Sequence, residues 1–199
     1  MRVGDDMNSD IEGVILAAGF SSRANAFKMA LDFDGKSILQ RNIEVMYPFC
    51  NRIIVVGGYK VEIIKELIKD YDKVELIYNE EYEKGMFSSV KAGIAKVKSA
   101  RFLFTPGDYP LLSERTYNSL LEVDGEVVIP IYKGRKGHPI VLHNKLIPLI
   151  LKEPMDSNLK AFIQNREIQL VKVEEKGILM DVDTIEDYEA AKAYFDKNN

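Results

Sequence analysis

Five stretches of this chain carry side chains able to do chemistry, and the first is a loop. In Leu16-Ala17-Ala18-Gly19-Phe20-Ser21-Ser22-Arg23, with Lys28 following after four more residues, an apolar run turns abruptly polar. Gly19 permits backbone geometry closed to other residues, Ser21 and Ser22 offer hydroxyls and backbone N–H groups, and Arg23 and Lys28 supply two cations. A polyanion suits such a loop, which makes nucleotide chemistry the leading expectation. Two familiar phosphate loops do not fit. A Walker loop needs two glycines and a Lys-Ser/Thr pair, a dinucleotide fingerprint needs Gly-x-Gly-x-x-Gly, and only Gly19 is present.

The second stretch, Leu103-Phe104-Thr105-Pro106-Gly107-Asp108-Tyr109-Pro110, sets Asp108 just past an apolar run on a loop stiffened by two prolines. Mg²⁺ takes oxygen ligands and is usually held by one or two protein carboxylates plus substrate phosphates, so Asp108 is half a site. Asp181-Val182-Asp183-Thr184 offers the other half. In an extended segment Asp181 and Asp183 point to the same side and Thr184 can cap the following helix; Asp183 is the favoured ligand, with helix capping as its plainer role. Further on from Asn79, Ser88 and Ser89 open a helix and either meet ligand oxygens or cap it. In Gly134-Arg135-Lys136-Gly137-His138-Pro139, the side chains of Arg135, Lys136 and His138 form an expected mobile cationic loop able to grip an acceptor phosphate, the alternative being a solvated turn. His143 reads as structural, and a zinc site lacks other spaced ligands.

These residues need a scaffold, and hydrophobic patterning supplies one. Strands are expected at 11–18, 52–57, 74–78, 101–105 and 127–131, alternating with helices at 38–46, 61–69, 88–98 and 113–121. Such alternation implies right-handed βαβ units and a mostly parallel sheet, whose ligands bind beyond the carboxyl ends of the strands. After Gly134 the order changes: strands at 139–143, 168–173 and 178–182, and helices at 146–151, 157–164 and 186–195. No repeat or linker divides the chain, so one domain over 11–199 is expected behind a polar leader at 1–10.

The first loop resembles the signature of nucleotidyltransferases with a molybdenum-cofactor-guanylyltransferase-like domain, Leu-Ala-Ala/Gly-Gly-x-Ser-x-Arg-Met-Gly-x-x-Lys. Ala24-Asn25 replaces the usual Met-Gly, and Asn tolerates left-handed geometry. Gly107-Asp108-Tyr109-Pro110 matches that family's first metal motif, and Asp181-Val182-Asp183-Thr184-Ile185-Glu186-Asp187 resembles its closing Asp-x-Asp-Thr-Pro-Glu-Asp, with Ile185 in place of Pro. The resemblance implies a three-layer α/β Rossmann-like fold with a mostly parallel mixed central sheet. It implies nucleotide contacts from Leu16, Ala17, Ala18, Gly19, Ser21, Ser22, Gly57, Asn79, Ser88, Ser89 and Gly107. It further implies charge neutralisation by Arg23, Lys28 and a Mg²⁺ held by Asp108 with Asp183 or Asp181. The Gly-x-x-Gly-His-Pro-x-x-Leu segment at 134–142 is similar to the branch of molybdenum cofactor cytidylyltransferases. That branch implies CTP as donor, molybdenum-loaded molybdopterin as acceptor at Arg135, Lys136 and His138, pyrophosphate as by-product, and a molybdenum hydroxylase as eventual partner. Guanylyl transfer to molybdopterin, activation of a sugar or alditol phosphate, and a non-catalytic cofactor chaperone are the alternatives.

Composition narrows the field. A chain of 199 residues with 46% hydrophobic side chains can build a core without metals or disulfides, and the single cysteine, Cys50, permits no internal disulfide. Cys50 is read as a packing residue and the setting as cytoplasmic. A net charge of −4 argues against broad affinity for nucleic acid or anionic membranes.

Overall fold

A computed structural model describes residues 10–19 and 27–198. The leader expected at 1–10 lies, Asp10 apart, outside the described residues. The first half alternates as the patterning requires. β1 (Ile11–Leu16) is followed by a small hairpin of β2 (Asp32–Phe33) and β3 (Lys36–Ser37), then α1 (Ile38–Met46), β4 (Arg52–Gly57), α2 (Val61–Ile68) and β5 (Val74–Tyr78). Next come α3 (Met86–Ile94), β6 (Arg101–Pro106), α4 (Glu114–Leu121) and β7 (Val127–Tyr132). The second half holds β8 (Arg135–Lys136), β9 (Ile140–His143), α5 (Ile147–Lys152), α6 (Leu159–Gln164), β10 (Ile168–Lys172) and α7 (Ile185–Asn198).

The main sheet runs β10-β7-β9-β6-β1-β4-β5, with β8 hung on β7. β1 pairs in parallel with both β4 and β6, while β9 runs antiparallel between β6 and β7. The sheet is therefore mixed but mostly parallel, with the core divided between its two faces. On one face Leu39, Ile43, Ile64 and Tyr117 from α1, α2 and α4 pack on Ile15, Ile53 and Leu103. On the other, Phe87, Val90 and Ile94 of α3 and Phe162 and Ile163 of α6 pack on Val14, Ile54, Phe104 and Ile140. Strands buried on both faces carry the near-continuous apolar runs seen at Ile53–Val56 and Phe102–Phe104. Cys50 is a buried free thiol in the first layer, where burial pushes its pKa up to about 12.

Several boundaries move for identifiable reasons. α3 starts at Met86, two residues early, because Gly85 adopts φ 103° and breaks the chain before it. It stops at Ile94, since the backbone N–H groups of Lys98 and Ser99 donate to the Glu12 carboxylate instead of continuing a helix. The strand expected at 178–182 does not exist. A 3-10 turn occupies Lys176–Leu179, Gly177 lies so close to the Leu111 carbonyl that a Cβ would sit 2.0 Å from it, and the chain then crosses the strand ends. Single bonds hold it there, His138 N–H to the Ile178 carbonyl at 3.0 Å and Val182 N–H to the Asp108 carbonyl at 2.9 Å. Arg135 and Lys136, expected in a mobile loop, instead form β8, paired with Ile131 and Tyr132 through a tight turn with positive φ at Lys133 and Gly134. No helix among the described residues is long and apolar enough to cross a membrane.

Candidate active site

The parallel registers bring the ends of four strands to one edge. β1 ends as Ala17 N–H donates to the Val56 carbonyl at 2.8 Å, and the Leu16 carbonyl accepts from Gly107 N–H at 2.8 Å. Asn79 N–H donates to the Gly57 carbonyl at 2.9 Å. Leu16 to Gly19, Gly57, Asn79 and Gly107-Asp108 thus form one rim without any side-chain contribution. Because β9 runs against β6, with Ile140 opposite Phe104, His138, two residues before the strand, also arrives at this edge. Ser21, Ser22 and Arg23 lie outside the described residues.

Lys28 closes the rim. A short 3-10 turn at Lys28–Ala30 aims its ammonium between two aspartates, donating to Asp108 Oδ2 at 2.6 Å and to Asp183 Oδ1 at 2.9 Å. The residues are separated by 80 and 155 positions in the chain, so only the tertiary fold joins them. The Lys28 and Asp108 side chains are nearly buried, at 11% and 12% exposure, while that of Asp183 is 46% exposed and faces the opening. Burial works against the Lys28 charge, but Asp108 and then Asp183 outweigh it and lift its pKa, so the side chain is an ammonium at neutral pH. Asp108 is held above the usual carboxylate range by burial, with Lys28 pulling the other way and Asp181 and Asp183 adding repulsion. One ammonium serves more negative charge than it can cancel. Asp108 Oδ1 is buried and has no hydrogen-bond partner.

Asp183 is placed by the following helix. Thr184 and Asp187 bond reciprocally at the start of α7, Asp187 N–H to Thr184 Oγ1 at 3.1 Å and Thr184 N–H to Asp187 Oδ2 at 2.9 Å. Thr184 caps the helix as its position suggested, leaving the Asp183 carboxylate for Lys28. Asp181 lines a cavity beside α3 and α6 and is near enough to Asp108 to act on its charge. Ser88 and Ser89 do not cap α3, whose cap is Gly85. Both accept from the buried Asn79 amide, at 2.8 and 2.9 Å, and Ser88 also donates to the Glu81 or Gly85 carbonyl. Their polar atoms hold the turn between β5 and α3 in shape.

Two features escaped the sequence reading. Tyr109 is the wall between the aspartates and the α3–α6 cavity, with its ring 5.0 Å from that of His138. Burial, followed by Asp181, Asp108 and Asp183, raises its hydroxyl pKa. Its place beside Asp108 was the one available signal. The other is a correction at His138: burial pushes its pKa down to about 4, so the imidazole is neutral at pH 7 and adds no cation to Arg135 and Lys136.

A mostly parallel sheet covered on both faces, with a lysine held between two aspartates at its carboxyl edge, is the framework of a Rossmann-like nucleotidyltransferase. The match to the MobA-like NTP transferase domain extends over residues 13–172, and the chain belongs to that family. It is 31% identical over 92% of its length, and 96% of the relative's, to the molybdenum cofactor cytidylyltransferase of Escherichia coli K12. It is 22% identical to a probable molybdenum cofactor guanylyltransferase of Bacillus cytotoxicus, over 77% of this chain and 78% of that one. The crystal structure of Rv0371c from Mycobacterium tuberculosis H37Rv shares the fold at a TM-score of 0.83 and 20% identity, covering 94% of this chain and 99% of that one. A manganese complex of the same protein aligns at 0.74.

Proposed function

We propose that this nucleotidyltransferase moves CMP from CTP to a molybdenum-loaded molybdopterin and releases pyrophosphate. The observation that carries the reading is the clamp of Lys28 between Asp108 and Asp183 at the sheet edge where the Gly19 loop begins. The choice of CTP rests on the cytidylyltransferase relative, at 31% identity against 22% and 26% for guanylyltransferase relatives, and molybdopterin is the acceptor on either reading.

The donor set fits a hard divalent cation. The unpartnered Asp108 Oδ1 and the outward-facing Asp183 are oxygen ligands, and among the described residues no three acidic, histidine or cysteine side chains gather to enclose a metal alone. Such a site holds Mg²⁺ with few protein ligands and leaves the rest of its coordination to phosphate and water. When bound, Mg²⁺ neutralises phosphate charge as the displacement proceeds. Lys28 and Arg23, with backbone N–H groups at Gly19, would supply the positive charge that faces the triphosphate. Gly57, Asn79, Ser88, Ser89 and Gly107 shape the nucleoside side of the pocket. The acceptor phosphate is already ionised near neutral pH, so attack at the α-phosphorus needs no protein nucleophile. Catalysis is positioning and charge neutralisation. Arg135 and Lys136 hold the acceptor, and the cytosine dinucleotide product serves a molybdenum hydroxylase.

The test is pyrophosphate release with each nucleoside triphosphate, with and without Mg²⁺ and molybdenum-loaded molybdopterin. CTP should turn over with both present. Turnover with GTP and none with CTP would move the chain to the guanylyl reading, and none with any nucleotide would end the proposal.

A further inference from the structure

Resting on the metal reading above, we propose that Tyr188 is a positioning residue: by tying the first turns of α7 to the β2–β3 hairpin it fixes the gap between Asp183 and Lys28, and with it the affinity of the site for a divalent cation. The two sides of the clamp ride on different bodies. Asp183 belongs to the start of α7, where its own N–H and that of Thr184 donate to Asp187 Oδ2 at 3.2 and 2.9 Å, and Tyr188 N–H donates to the Thr184 carbonyl at 3.1 Å. Lys28 belongs to the hairpin, since Leu31 N–H donates to the Lys28 carbonyl at 3.2 Å and the Leu31 carbonyl accepts from Ile38 N–H at 3.0 Å. β2 and β3 pair with each other and stand apart from the main sheet, so no ladder of that sheet sets the gap.

The helix has few anchors with which to set it. Of the 14 residues of α7, Ala191 alone is buried. Tyr188 and Phe195 pack edge-to-face on the fully buried Phe33 of the hairpin, with ring centroids 6.2 and 5.6 Å away. These apolar contacts are non-directional and hold the helix near the hairpin without fixing where along it each residue lies. Tyr188 adds the directed contact. Its hydroxyl donates to the Asp32 carbonyl and accepts from Lys192 Nζ at 3.5 Å. Asp32 follows Lys28 by four residues and Tyr188 follows Asp183 by five, so this bond closes a short ring of chain around the clamp. Lys28 cannot keep Asp183 in place by itself, because a cation at that carboxylate competes with its ammonium. A ligand held by contacts outside the site binds its ion more tightly, since the cost of ordering it is met before the ion arrives.

Tyr188→Phe keeps the ring on Phe33 and removes the hydroxyl. The probe is Mn²⁺, titrated into wild type and variant with CTP present and no acceptor, and read from loss of the free-ion paramagnetic resonance signal, which needs no turnover. The variant should bind Mn²⁺ about fivefold more weakly at an unchanged urea midpoint. In the assay of pyrophosphate release, half-saturating Mg²⁺ should rise by the same factor, while kcat at saturating Mg²⁺ falls by less than about twofold. Phe195→Leu loosens the far end of α7; it should lower the urea midpoint and leave Mn²⁺ affinity within about twofold of wild type. Equal Mn²⁺ affinity in wild type and Tyr188→Phe overturns this inference and leaves the metal reading standing. A loss in Phe195→Leu as large as that in Tyr188→Phe also overturns it, since affinity would then follow the general stability of α7. A wild type that binds no Mn²⁺ overturns the inference and the metal reading together.

Discussion

Glu12, near the start of β1, and Asp108, just past the end of β6, are both buried, at 5% and 8% exposure, yet the fold treats their charges in opposite ways. Glu12 Oε1 accepts from Arg52 Nε at 2.6 Å, and Oε2 accepts from the backbone N–H groups of Lys98 and Ser99. Burial alone would raise its pKa, but the Ser99 and Lys98 N–H groups and then Arg52 bring it below the usual value. Asp108 has Lys28 on one oxygen and nothing on the other, and its pKa is raised. Most buried polar groups find partners, so the saturated carboxylate reads as structure and the unsaturated one as a place kept for a ligand. The amino edge of the sheet is closed by its charges, and the carboxyl edge is held open by them.

Removing each carboxylate tests that contrast most severely. Asp108→Ala should lower pyrophosphate release about 10²–10³-fold while leaving the urea midpoint unchanged or higher, because it removes a poorly matched buried charge. Glu12→Ala should do the reverse, costing about 3 kcal/mol by urea unfolding as Arg52 and two N–H groups lose their acceptor, with kcat of the folded fraction within about twofold. Equal destabilisation by the two substitutions would erase the distinction between the edges.

Lys28→Met sharpens it from the cation's side. Turnover should fall about 10²-fold, and Asp108 and Asp183 would then face each other without an ammonium. Asp108, already above the usual carboxylate range, would lose the one charge that lowers it and rise further, so the variant should be more stable relative to wild type at pH 5 than at pH 7. Urea unfolding at the two pH values measures this.

Acid unfolding gives a smaller effect. Glu12, with its pKa lowered in the fold, contributes stability that is present above about pH 4.5 and lost as pH falls. His138, lowered from 6.5 to about 4, contributes fully above pH 6.5 and loses its share between pH 6.5 and about 4, up to about 3 kcal/mol. His138→Gln should flatten the wild-type slope in that upper window and leave the lower one in place, as read by urea midpoints from pH 7 to 4. Smallest of all, Lys69→Ala at the exposed pair with Glu66 should change neither turnover nor melting temperature.

Much of the scaffold was legible because its elements are locally consistent. Apolar runs such as Ile53–Val56 can only be buried strands, and Ser37 announces α1 by a capping box with Gln40. The hairpin of β2 and β3 was missed although Asp34-Gly35, both at positive φ, is the usual turn pair for one. The false strand at 178–182 shows the opposite failure. Ile178 and Val182 are buried as a strand pattern demands, but they pack beneath the rim, where the chain crosses the sheet edge instead of joining it. Periodicity reports burial, and it does not say against what.

The site divides along the same line. Asp108 and Asp183 stood out as candidate metal ligands and Lys28 as a candidate phosphate-binding cation, because the chemistry of a side chain and its place after a strand are local properties. The residue types and their order along the chain determined the α/β scaffold and, through the resemblance they carry, the nucleotidyltransferase class. Only the tertiary structure decided that Lys28 bridges Asp108 and Asp183, that Asp181 lines the cavity beside α3 and α6, and that burial lowers the pKa of His138. Each of those depends on distance, burial or a missing partner across the fold, and such quantities exist only once segments remote in the chain share a low-dielectric edge.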